Sequence, residues 1–405
     1  MNVLNVTEKL FVDNTIVSSQ IHTYEPYLPS KLGYNDEIVI PIQEVDKFTL
    51  PCESFLYIEG KLTKSDGTLS DKLKFINNGI PFLFKEIRYQ LNGITVDSVR
   101  DVGLTSTLKA YLSYNSNDSI RLQNAGWFPK MKGIDNILVD NKGSFNVCIP
   151  LKMLMGFFED YKKILVNVKQ ELVLLRSSDD LNAVISTEAT DVPKVEINKL
   201  SWNIPHISVG IPQELSLTNL IDKNADIILG FRSWELVEFP ELPETNRHNW
   251  PVKTTTKLET SRHVIIAFQT TRRNNVAKDM SKFDNCNLRN IKVFLNSERY
   301  PYNDLYLDFK EHKFASLYEM FAKFRQSYYE LQNVPIFTPT EFKDIAPITY
   351  IDCSHQRESI QSGPIVMRVE FETNENIPKN TSAYCLILHD KLISYNPLTK
   401  IVKQL

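Results

Sequence analysis

The sequence predicts an all-β chain built as two tandem antiparallel sandwiches, each with one short helix lodged in a long connection. Three observations predict it: a succession of short apolar runs closed by turn residues, only two convincing helical stretches, and an internal echo at half the chain length.

The first strands are read at 37–42, Glu-Ile-Val-Ile-Pro-Ile, and at 55–62, which is rich in aromatic and β-branched residues and is followed by the turn Asp66-Gly67. Residues 87–91 alternate apolar and polar and run into Asn92-Gly93, a pair that readily supplies the positive φ angles of a type I′ hairpin turn. Further strands are expected at 144–149, 163–168, 172–175, 194–204, 227–237, 263–270, 291–295, 365–371 and 383–388. Helical spacing is confined to 104–113, with Leu104, Leu108, Tyr111 and Leu112 on one face, and 314–328, with Phe314, Leu317, Tyr318, Phe321 and Phe324. The aromatic stripe of the second helix is the one a helix needs to pack on a sheet.

The echo supplies the domain organisation. Ile87-Arg88-Tyr89-Gln90-Leu91-Asn92-Gly93 matches Ile291-Lys292-Val293-Phe294-Leu295-Asn296-Ser297 in register, 204 positions later, and each copy precedes one of the two helices. Leu200-Ser201-Trp202-Asn203 matches Ile393-Ser394-Tyr395-Asn396, 193 positions later, each running toward a proline. Pro205, Gly210 and Pro212 interrupt the pattern between the halves. The expected organisation is an N-terminal arm over 1–20, a first unit over 21–208 and a second over 209–405. Eight-stranded jelly rolls are one solution for sandwiches of this size.

Composition limits the function classes. With 42% hydrophobic and 23% charged residues the chain can bury full cores, so it is neither a disordered chain nor a stapled mini-protein. A net charge of −3, with no long run of one sign, offers no broad basic surface for phosphate, so nucleic acid is expected to be held at most weakly. No apolar run approaches the roughly 20 residues of a membrane span. The N-terminus lacks a secretory pattern, and the five well-separated cysteines fit reduced thiols in a protein made in the cytosol.

Catalytic and metal-binding patterns are missing: no Gly-x-Gly-x-x-Gly, Walker A loop, Gly-x-Ser-x-Gly, His-Glu-x-x-His or Cys-x-x-Cys occurs. Asp352-Cys353-Ser354-His355 is read as a polar turn next to a strand, and Glu159-Asp160 and Asp179-Asp180 as loop pairs. The expectation is a non-enzyme without cofactor or metal. Candidate contact residues are the Pro-bounded aromatics of two long loops, Trp127 and Phe128 in 114–143 and Trp250 in 238–260, together with Arg272 and Arg273, which could touch phosphate. The alternative, that Trp127 and Trp250 pin their own loops, stays open at this level.

Three stretches carry a family resemblance: Asp13 to Gln20 through Tyr24-Glu25-Pro26-Tyr27 into 37–42; Phe82-Leu83-Phe84-Lys85-Glu86-Ile87 into Leu91-Asn92-Gly93; and Phe145 to Leu151, then Phe157-Phe158, then Leu172 to Asp180. In these the chain resembles the double jelly-roll major capsid proteins of eukaryotic DNA viruses and virus-like elements, including virophages, Polinton-type elements and adintoviruses. The resemblance implies a structural protein of the virion. It implies homotrimers whose six jelly rolls form pseudo-hexameric blocks, which tile an icosahedral shell around DNA, with penton or minor capsid proteins as further partners. It implies no catalytic residue. The other readings are a capsid-like protein kept by a host genome, and a tandem carbohydrate-binding or amidase-type sandwich. The second of these would need paired carboxylates or a calcium-ligand run that the sequence lacks.

Overall fold

A computed structural model describes residues 15–27, 32–43, 48–130, 138–188, 191–253, 261–296, 298–355 and 366–405. Eight strands build the first lobe: β1 (Ile16–Tyr24), β2 (Glu37–Ile42), β3 (Phe55–Lys64), β4 (Phe84–Leu91), β5 (Ile94–Arg100), β6 (Ser144–Pro150), β7 (Gln170–Arg176) and β8 (Pro193–Val209). Eight more build the second: β9 (Ile227–Phe239), β10 (Arg247–Val252), β11 (Ser261–Thr270), β12 (Leu288–Leu295), β13 (Glu298–Tyr300), β14 (Thr349–Asp352), β15 (Met367–Thr373) and β16 (Thr381–Tyr395).

The sheet orders are the same in both lobes. In the first they are β1-β8-β3-β6 and β2-β7-β4-β5, and in the second β9-β16-β11-β14 and β10-β15-β12-β13, all antiparallel. Each strand therefore has its counterpart eight strands later, which is the jelly-roll pairing of two four-stranded sheets, made twice. Short pairs are added at Phe48–Thr49, Val402–Gln404, and between Leu73–Phe75 and Val184–Ser186. Seven α-helices accompany them among the described residues: α1 (Val102–Ser113), α2 (Ser116–Leu122), α3 (Gly156–Asp160), α4 (Ile211–Asp222), α5 (Ala315–Ala322), α6 (Phe324–Tyr329) and α7 (Pro339–Ile345).

The first echo is structural. β4 and β12 hold the same place in their sheets and bury alternate side chains, Ile87, Tyr89 and Leu91 in one and Ile291, Val293 and Leu295 in the other. Asn92 and Gly93 have φ of 49° and 81°, so the hairpin turn is of the mirror-image kind that Asn-Gly favours. The second echo falls on equivalent strands but out of register: β8 and β16 begin 188 positions apart, at 193 and 381, opposite Lys64 and Thr270.

Three expectations are corrected. Residues 16–20, counted with the arm, belong to β1; residues 1–14 lie outside the described residues. Residues 163–168 form no strand beyond one bridge from Leu165 to Thr49, because Asn167 is left-handed (φ 51°) and the segment turns to meet the end of the chain, donating from Val166 N–H to the Tyr395 hydroxyl. The helix read at 314–328 divides at Lys323 into α5 and α6.

The apolar side chains of both lobes join in one core. β11 and β16 are buried on both faces, which explains the unbroken run His263 to Phe268: the inner face meets the opposing sheet, as where Phe268 packs on Phe371, and on the outer face His263 packs against Phe324 and Tyr328 of α6. Helix α1 is buried along its whole length between the lobes, where it meets α6 and β9.

Candidate assembly surfaces

The seat between the lobes shows how one jelly roll of this chain holds another. Strand β9, the edge of its sheet, lies across α3 and β5 of the first lobe. The backbones come so close at Gly156 that a Cβ there would sit 1.7 Å from the Arg232 carbonyl oxygen. Phe157 and Phe231 meet edge to face with centroids 5.2 Å apart. Asp160 takes the Arg232 backbone N–H at 2.9 Å and its guanidinium at 2.8 and 2.7 Å, while Arg232 Nη1 donates to the Tyr328 carbonyl at 2.7 Å. Asp97 of β5 is fully buried, accepting from the Phe157 N–H at 3.0 Å and from Ser233 Oγ at 2.6 Å, and burial pushes its carboxyl above the usual range.

Beside this seat Lys109 of α1 is buried in a cage from both lobes. Its ammonium donates to Glu159 at 3.0 and 3.1 Å, to Ser113 Oγ at 2.9 Å and to the Tyr329 hydroxyl at 2.7 Å. The rings of Tyr328, Trp234 and Tyr329 lie 4.2 to 4.9 Å from the same nitrogen. Burial lowers its pKa and Glu159 opposes that shift. Two cations, Lys109 and Arg232, face two anions, Glu159 and Asp160, so the buried charges balance, as a low-dielectric site requires.

His263 of β11 borders this cluster, with Nδ1 2.9 Å from the Tyr350 hydroxyl and 3.8 Å from Asp352, and with Tyr328 and Phe324 against its ring. Burial, helped by the nearby Arg232, Lys109 and Arg262 charges and opposed by Asp352, pushes its pKa from 6.5 down to about 4. The folded ring stays neutral where the unfolded one takes a proton, so the protein should lose stability as pH falls from 6.5 toward 4. In His263→Gln the slope of stability against pH in that window should drop by up to about 1.4 kcal/mol per unit, measured by urea titration at stepped pH.

Among the described residues the matching edges at the other ends of the two lobes are open. β1 stands in the first lobe where β9 stands in the second, and no described residue buries its outer side chains: Ile16 and Val17 are exposed, and Ile21 is 61% exposed. β13 stands in the second lobe where β5 stands in the first, and the loop after it carries Tyr302 and Tyr306, 73% and 69% exposed.

The residues singled out from the sequence do not gather on one surface, and two are corrected. Trp127 is fully buried, packed on Tyr111 and Tyr114 with its indole N–H on Ser119 Oγ. Trp250 lies inside β10 against Phe239. Both pin their own segments, because an indole in a sandwich of this size gains more by joining the core than by waiting for a partner. Phe128 is half-buried, its backbone N–H held by Asn77. Arg272 is tied to Asp284 and the Asp279 carbonyl. Arg273 joins the lobes through Glu238 of β9 and Asp101 next to α1.

Cys353 is buried, which pushes its thiol up, and Asp352 accepts from Ser327 and the Ser354 N–H, so no activated nucleophile forms there. Among the described residues no three His, Cys, Asp or Glu side chains converge as a metal site, and no helix is long and apolar enough to cross a membrane. Sequence reasoning missed Lys109, Glu159, Asp160, Arg232 and the open edges; the available signal was a lone lysine inside the apolar face of α1.

A family model described as "Double jelly roll-like domain" matches residues 73–393. Three solved structures are similar over nearly the whole chain. PBCV-1 VP54, fitted into a reconstruction of the virophage Sputnik, has a TM-score of 0.62 at 10% identity and covers 98% of each chain. The Faustovirus major capsid protein gives 0.59 at 9%, covering 97% of this chain and 92% of that one. The mavirus major capsid protein gives 0.57 at 12%, covering 99% and 92%. No curated protein sequence matches.

Proposed function

The chain belongs to the double jelly roll-like domain family, and from that premise we propose that it is a viral major capsid protein, acting as a structural component of the virion. Copies associate head to tail into a trimer, which places six jelly rolls around one axis, and trimers tile a closed shell around DNA. The capsid proteins of PBCV-1, Faustovirus and mavirus share the fold and support the reading. Residues 16–209 and 210–405 serve as the two lobes of each block. Penton or minor capsid proteins are the further partners, and packaged DNA is held weakly.

The observation that carries the proposal is the unequal fate of equivalent edges. Within the chain, β9 of lobe two is seated on the β5 side of lobe one. Among the described residues nothing is seated on β1 of lobe one or on the β13 side of lobe two. Seating β1 of one copy on the β13 side of the next repeats the internal contact, and such a heterologous contact either closes into a ring or runs on as a filament. The expected interface is apolar and aromatic on both sides, with Ile21 facing the loop of Tyr302 and Tyr306.

Electron microscopy of the purified protein tests the function: closed shells or hexagonal sheets are expected, and a dispersed monomer at high concentration would count against it. Ile21→Asp should leave the monomer's fold intact by circular dichroism, since the side chain is exposed, while converting the oligomer to monomers by sedimentation. An unchanged oligomer in that variant would move the interface elsewhere.

A further inference from the structure

Exposed lysines elsewhere on this chain face carboxylates, Lys72 with Glu188, Lys310 with Glu375 and Lys323 with Glu319. Five at one end of the block do not. Lys162, Lys163, Lys169, Lys400 and Lys403 are exposed, and among the described residues none of them forms an ion pair. We infer that these five hold the phosphate backbone of duplex DNA, which turns this end of the block toward the interior of the shell. The inference rests on the capsid reading and names the surface that meets the packaged DNA.

Three turns from both lobes are knitted together there. Asn92 of the β4–β5 hairpin donates from Nδ2 to the Lys400 carbonyl at 2.9 Å and from its backbone N–H to the Lys169 carbonyl at 2.9 Å. Its Oδ1 accepts the Lys169 N–H at 3.0 Å. Asn167 donates to the Pro397 carbonyl at 2.7 Å, and the Asn396 N–H donates to the Ile401 carbonyl at 2.9 Å to close the turn that carries Lys400. The asparagines are committed to this framework, while the lysine side chains are open to solvent. Asp226, which accepts from Asn396 at 2.9 Å, is the one carboxylate bonded into the network among the described residues.

The residue types select the partner. Lysine is a compact point charge that meets phosphate anywhere along a backbone, and the three turns hold no arginine, whose planar fork matches base edges. Contacts of this kind carry no sequence information, so the strip takes DNA of any sequence. The net charge of −3 gives the surface as a whole no attraction for DNA, which keeps binding local and weak. An anionic bilayer fits less well. Interfacial membrane sites use a basic amphipathic helix, whereas α4, two residues before the Asn224 carbonyl that accepts from Asn396, carries Glu214 and Asp222 and no Lys or Arg.

Salt titration of the full chain with duplex DNA, read by fluorescence anisotropy, tests this. Five lysines predict a slope of log K against log salt of about −4.5, a loss on the order of 500-fold between 50 and 200 mM. Lys169→Ser/Lys400→Ser/Lys403→Ser should flatten the slope to about −1.8 while leaving circular dichroism and oligomeric mass unchanged. Lys72→Ser/Lys310→Ser/Lys323→Ser removes the same charge elsewhere and should leave the slope as it is. Equal slopes in the two triple variants would overturn the inference. So would tighter binding to phosphatidylserine vesicles than to DNA at the same salt, since that would assign the strip to a membrane. Shell formation is scored separately by electron microscopy: shells from a protein with a flat slope would reject the strip and leave the capsid reading standing.

Discussion

Lys109→Met should destabilise the folded chain by about 3–5 kcal/mol, because it leaves the Glu159 carboxylate in the seat between the lobes with its cation gone. Arg232 cannot substitute, since its guanidinium is already committed to Asp160 and the Tyr328 carbonyl. The loss should fall largely on the junction, which Lys109 holds through Tyr329 and the rings of Trp234 and Tyr328. Adding Glu159→Gln should recover much of the loss, since an apolar side chain and a neutral amide no longer demand a buried counter-charge. Denaturant titration of the two single variants and the double variant measures this directly, and additive losses would show that the pair is not coupled.

Gly156→Ala is the second large effect, on the order of 3 kcal/mol at the upper end of overpacking costs. The added methyl would overlap the Arg232 carbonyl at 1.7 Å, and that backbone cannot retreat while its own N–H is held by Asp160. The consequence should be visible in how the chain melts. One core runs through both lobes, so the natural protein should unfold in a single transition, and the variant should split it into two by scanning calorimetry. A single transition at an unchanged temperature would mean that the close approach is relieved elsewhere.

Much of the fold was legible because pleat alternation is local. Residues 87–91 and 291–295 declare one buried face each, so their echo fell on equivalent strands in the correct register. Leu200 and Ile393 did not, because β8 and β16 carry long stretches buried on both sides, and an unbroken apolar run says nothing about register. β1 escaped notice for the opposite reason: as an exposed edge it has no apolar face to alternate. β14, only four residues long, carries too little pattern to be read at all. Sites fared worse than strands. Trp127 and Trp250 looked like contact anchors because proline and polar residues surround them in the chain, whereas burial is decided by the sheet they fold back on. The Glu159-Asp160 pair read as a loop pair, and only the meeting of the two lobes makes it, with Lys109 and Arg232, a buried set.

The head-to-tail trimer is the central claim, and native mass spectrometry at low micromolar concentration tests it most directly. Three copies of 46.8 kDa predict a species at about 140 kDa, lost in Ile21→Asp. A two-fold dimer, or a monomer alone, would contradict the pairing of β1 with the β13 side of the next copy.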